Sequence, residues 1–173
     1  MDFALRRGVA AAVKALQDSP NTCGLLSYSL GGIVASLILE GARAGVYTNI
    51  DDSPLDIAFA VNIANPLRQA GESVGNLCPA KSFGLHGQRG HWPVAVDVRE
   101  YANPHDIITC TPADSPLRVL DPALSPFALL EGARIGTLAP QPDSQHMLYA
   151  SHTMPGADVP WTTHAADYLN TNY

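Results

Sequence analysis

Apolar residues recur with helical spacing at the start of the chain. In "DFALRRGVAAAVKALQD", Leu5, Val9, Val13 and Leu16 fall at intervals of four, four and three, with Arg6, Arg7 and Lys14 elsewhere on the wheel. This predicts an amphipathic helix. Pro20 breaks it, and "CGLLSY" (23–28) is then a short apolar run with turn residues before it and a Gly pair soon after, as a buried strand should be. "GGIVASLILEGARAG" resumes helical spacing through Ile33, Leu37 and Glu40, until Gly41 and Gly45 end it. Past the turn-rich "TNIDDSP", Ile57, Phe59, Val61 and Ile63 alternate with smaller residues up to Pro66, which predicts a second strand.

The stretch from Leu67 to Trp92 has no clear period and carries four Gly between Gly71 and Gly87, so it reads as loop. "PVAVDV" predicts a third strand, followed by "REYANPHDIITCTP" as a loop. Prolines recur over 112–142, marking a lid or a shortened linker insertion in which "FALLEGARIG" offers two helical turns. The closing "PWTTHAADYLNTNY" predicts a terminal helix with a Thr cap and with Ala165, Leu169 and Tyr168 facing inward. Strands alternating with helices predict one α/β domain spanning 1–173, with a largely parallel sheet.

Composition narrows the function. The 173 residues are 46% hydrophobic and 15% charged, as expected of a globular chain, and the net charge of −6 with no Lys/Arg run argues against a nucleic-acid partner. The longest apolar run is broken by Ser and Gly and is too short to span a bilayer, and no secretory signal pattern opens the chain. Cys23, Cys78 and Cys110 form no C-x-x-C pair, so no zinc cage is expected. Cys23, in an apolar run, is expected to be a small core residue, and one bridge between Cys78 and Cys110 is open.

Candidate chemistry begins where the first strand meets its helix. A sharp strand-to-helix turn strains its apical residue and demands small neighbours on either side, and "SYSLG" (27–31) meets that demand as S-x-S-x-G, with Ser29 at the apex. Ser29 is then either a nucleophile or a helix cap, a role for which Ser is also well suited. A serine nucleophile needs a base and an acid that orients it, found in α/β-hydrolases in the chain order Ser, Asp, His. Asp106, in the loop after the third strand, suits the acid; Asp97 competes but lies within the strand pattern. His86, His91 and His105 precede Asp106 and would break the order. His146, on a loop ahead of the last helix, suits the base best, with His152 and His164 as alternatives. The backbone N–H of Leu30, at the helix start, would face a developing oxyanion.

With these residues in place, the sequence resembles the cutinase-like α/β-hydrolases of actinobacterial phages, the lysin B group. The pieces that carry the resemblance are "SYSLGG", "IANPLRQAG", "ANPHDIIT", "HMLY" and "AADYLN", in that order. The family's elbow has the form G-Y-S-Q-G, so Ser27 stands for its first Gly and Leu30 for its Gln. The resemblance implies a three-layer α/β-hydrolase fold with a mostly parallel central sheet, Ser29 as nucleophile, Asp106 as acid, His146 as base and a Leu30 backbone donor. It implies hydrolysis of the ester joining mycolic acids to arabinogalactan, by a phage-encoded enzyme acting at the host envelope during lysis, without metal or organic cofactor. The family has a strand and a Gly-rich oxyanion loop ahead of its first helix, whereas this chain opens on the helix. The sheet is therefore expected to be N-terminally shortened, with an open edge suited to a second copy or a partner chain. The alternative function is that of a weakened hydrolase-like domain serving as a structural or cell-surface-binding part of a virion.

Overall fold

The computed structural model describes residues 3–87, 89–90, 92–119 and 145–173. Most of the proline-rich 112–142 segment, including its expected helix, lies outside the described residues, as does His91. Helix α1 spans Phe3–Asp18, strand β1 Cys23–Tyr28, helix α2 Leu30–Arg43 and strand β2 Ile57–Ile63. A two-residue strand β3 (Ser82–Phe83), strand β4 (Asp97–Tyr101), a two-residue strand β5 (Thr111–Pro112) and helix α3 (Trp161–Asn172) follow. The main sheet has the order β1-β2-β4, both pairings parallel, and β3 pairs with β5 in a small antiparallel ladder.

Helices cover both faces of the sheet. On one, Val9 and Val13 of α1 and Ile38 and Leu39 of α2 pack on Ile57 and Ala60. On the other, Val61, Ile63 and Tyr101 meet Tyr149, Met154 and the α3 residues Trp161 and Ala165. Coverage on both sides explains why β2 does not keep the alternation its sequence suggests, since Ala60 and Asn62 are as buried as Val61. Among the described residues β1 is an edge strand: Leu25 points to the helical layer, while Leu26 and Tyr28 remain exposed. The pairing of β1 with β2 shifts register between Cys23 and Gly24 and is regular from Gly24 onward, where the ring of Phe59 lies over Gly24; a Cβ there would fall 2.0 Å from the ring.

Several expectations are corrected. The third strand is "DVREY", because Val94–Val96 form a turn and Glu100 and Tyr101, expected in a loop, are buried in the sheet. Asp97 opens that strand and accepts from the Tyr168 hydroxyl, away from Ser29. Helix α3 begins after Pro160 with no side-chain cap, so no Thr caps it. Cys23 is half-buried rather than a core residue and carries a free thiol, whereas Cys78 and Cys110 form a disulfide with their Cα atoms 6.2 Å apart.

Candidate active site

The elbow is built by small residues. Ser29 sits between β1 and α2 at φ 52° and ψ −115°, a conformation that an L-residue holds only where its surroundings enforce it. Its N–H donates to the Ile63 carbonyl at 2.9 Å and its own carbonyl accepts from Gly32 N–H at 2.8 Å, which fixes the turn at both ends. Gly32 is required by close approach: a Cβ there would lie 2.8 Å from the Asn65 side chain. Opposite Ser27, a Cβ on Gly31 would make ordinary contact at 3.6 Å, so Ser in place of the first elbow Gly meets no clash. Although Ser29 occupies the N-cap of α2, its hydroxyl makes no capping bond. It points instead to His146 Nε2 at 2.7 Å.

His146 lies in a single helical turn, Gln145–Met147, and is buried. Its Nδ1 is 2.9 Å from Asp106 Oδ2, and its carbonyl accepts from the Tyr28 hydroxyl, which ties the residue before Ser29 to the base segment. Asp106 is nearly inaccessible and sits in a loop closed on itself: its carbonyl accepts from Thr109 N–H and Cys110 N–H, and its Oδ1 from Ile108 N–H at 2.9 Å. Oδ2 also accepts from the Tyr149 hydroxyl at 2.9 Å and from Thr109 Oγ1 at 3.2 Å. A buried carboxylate so supplied with donors is held in orientation without another charge.

Two further anchors hold this loop. Arg68, of the "NPLR" segment, is fully buried and donates from Nε to the Thr109 carbonyl at 2.9 Å and from Nη2 to the Ser82 carbonyl at 2.9 Å. The Cys78–Cys110 disulfide fastens the end of the same loop. Burial pulls the Arg68 guanidinium down from its ordinary value, opposed by Glu100 and Glu72. Carbonyls satisfy much of its donor fork, a use for which a planar guanidinium suits better than an ammonium.

Beneath the elbow runs a second polar string. Ser27 Oγ donates to Asn62 Oδ1 at 2.6 Å, and Asn62 Nδ2 and Asn65 Nδ2 each donate to Glu100 Oε1 at 2.9 Å. Asn65 also reaches Ser36 Oγ of α2 at 3.1 Å, so the string joins all three main strands to the elbow helix. Among the described residues Glu100 Oε2 has no hydrogen-bond partner, and burial pushes the carboxyl up to about 8 against the pull of the two amides. Ser27 is thus a member of a network.

Of the expected residues, Ser29, His146 and Asp106 come together in one hydrogen-bonded run. Leu30 begins α2, where a first-turn N–H has no intrahelical acceptor and can face a ligand. His152 is exposed beyond the His146 turn, and His164 is on α3 with Nδ1 3.1 Å from the Tyr101 hydroxyl; neither reaches Ser29. Tyr149, Thr109 and Arg68 were not singled out as individual residues from the sequence, although "NPLR" and "HMLY" contain two of them.

No protein-family model matches the sequence, and no curated protein matches it. Among solved structures the chain is similar to lysin B from Mycobacteriophage D29, with a TM-score of 0.58 and 16% identity over 96% of this chain and 79% of that one. At that identity the likeness is one of fold, and the fold is that of an α/β-hydrolase.

Proposed function

We propose that this protein is a serine esterase that cleaves lipid esters through an acyl-enzyme. The observation that carries the reading is the continuous run from Ser29 Oγ to His146 Nε2 at 2.7 Å and from His146 Nδ1 to Asp106 Oδ2 at 2.9 Å, set on a positive-φ elbow. Ser29 attacks the ester carbonyl as His146 takes its proton, and Leu30 N–H donates to the oxyanion. His146 then gives the proton to the leaving alcohol, the C–O bond breaks, and the acyl group stays on Ser29 Oγ. Water, activated by His146 in turn, releases the acid and restores Ser29. Asp106 holds the imidazole with Nε2 free to accept.

An apolar acyl group suits the rim. Tyr28, Met147 and Ile107 each adjoin one of the three residues in sequence, and all are substantially exposed, with Met147 at 65%. The likeness in fold to lysin B of a mycobacteriophage, together with the ordered motifs, supports a mycolate-type ester of a host envelope as substrate and a phage-encoded role in lysis. The test is hydrolysis of short- and long-chain p-nitrophenyl esters by wild type and Ser29→Ala. Ser29→Ala is expected to abolish hydrolysis, with the wild type favouring the longer chain. Hydrolysis that survives in Ser29→Ala at the wild-type rate overturns the assignment.

A further inference from the structure

Asp106 receives the base segment twice. His146 Nδ1 and the Tyr149 hydroxyl both lie 2.9 Å from the same oxygen, Oδ2, and the two residues are three positions apart. The phenol also accepts from Asn103 N–H at 2.8 Å, so a backbone donor fixes its oxygen and leaves its single proton for Asp106 or for Thr109 Oγ1, at 3.3 Å. The carboxylate is the nearer and the charged acceptor. Tyr149 itself is immobilised: it is 1% exposed, its ring packs on Trp161 at 5.5 Å and edge-on to Tyr28 at 6.1 Å, and its carbonyl accepts from Thr162 N–H. Burial and the nearby Asp106 charge raise its ionisation well above the ordinary value, so it stays a donor throughout the working range.

We propose that Tyr149 is a positioning residue for the esterase reaction: a second donor on Oδ2 that fixes the distance between acid and base and withdraws part of the Asp106 charge from His146. This rests on the esterase reading above. The imidazole, the phenol and, at the longer 3.2 Å, Thr109 Oγ1 share one oxygen, so the bond from Tyr149 weakens the hold of that oxygen on the imidazolium. Without the phenol, Oδ2 keeps only the longer contact from Thr109 Oγ1 beside the imidazolium, and the Asp106–His146 pair takes up its proton at higher pH. A group that served packing alone would alter stability and leave that midpoint in place.

The test compares Tyr149→Phe with wild type in the pH profile of kcat/KM, with a fluorophosphonate that labels Ser29 counting the competent sites. Tyr149→Phe is expected to move the acid limb up by roughly 0.5 to 1 pH unit and to lower kcat about tenfold, as the loss of one charge-assisted hydrogen bond implies. Placing 3-fluorotyrosine at 149 keeps the shape but strengthens the donor, and is expected to move the limb down. That arm holds even where the Phe variant does not fold. Acid limbs that coincide, in competent enzyme labelled at Ser29, overturn this inference alone. A wild type that is neither labelled nor active overturns the esterase reading and this inference with it.

Discussion

Relative to wild type, Glu100→Gln is expected to gain stability as pH rises. The amide keeps the one oxygen that Asn62 and Asn65 use, and puts an NH2 where, among the described residues, Oε2 has no partner. The size follows from linkage. The carboxyl titrates near 4.5 when unfolded and is raised to about 8 by burial in the fold. Between those values the folded state holds a proton that the unfolded chain has lost, so wild-type stability is full at low pH and falls as pH rises towards 8. Each pH unit is worth about 1.4 kcal/mol, so the gap between variant and wild type should widen by about 3 kcal/mol from pH 5 to pH 7. For a chain of this size that corresponds to roughly 6–12 °C in Tm. Burial lowers the His86 value and gives an opposite slope, lost as pH falls below 6.5, but this is common to both proteins and cancels in the difference. Urea melts of both proteins at pH 5, 6 and 7 supply the measurement. Parallel stability curves for the two would refute the reasoning.

The histidines separate by activity: His146→Ala is expected to lose about as much activity as Ser29→Ala, on the order of 10³-fold or more, while His152→Ala and His164→Ala keep most of theirs in the same ester assay. Opening the Cys78–Cys110 bridge, which spans a separation of 32 residues, should cost about 4 kcal/mol in a urea melt and lower kcat by loosening the Asp106 loop. The double Ser variant should then be insensitive to reductant; a wild type whose melt and kcat do not respond to reductant would remove the bridge from the account.

The elements that the sequence makes plain are those whose burial is apolar. "CGLLSY" and the helix after it are legible because a mainly apolar run bounded by turn residues has few alternatives to a strand and an adjoining helix, although β1 alternates between half-buried and exposed positions where a buried strand is expected. "DVREY" was hidden because Glu100 is buried by partners 35 and 38 residues away, and a carboxylate in a central layer looks like a loop residue until Asn62 and Asn65 are seen to meet it. The same holds for the site. The elbow pattern, chain order and loop position together point to Ser29, Asp106 and His146, while His152 and His164 stay open because sequence does not give the direction of a side chain. Tyr149 was missed for a related reason: a tyrosine three residues after a histidine is ordinary, and only the fold puts its hydroxyl on Asp106.

The notch at Gly24 bears on how this protein tolerates change. Strands slide past one another most readily where neither carries a feature that distinguishes one alignment from the next, and a slip of one residue in β1 would turn Ser29 to the opposite face. The Phe59 ring seated over a residue with no side chain acts as a detent, admitting one alignment and blocking its neighbours. The apex of the elbow is thus indexed from inside the sheet, five residues upstream of the nucleophile. A change of length within the turn at 19–22 is therefore expected to be taken up before Gly24 and to leave the reacting atom in place.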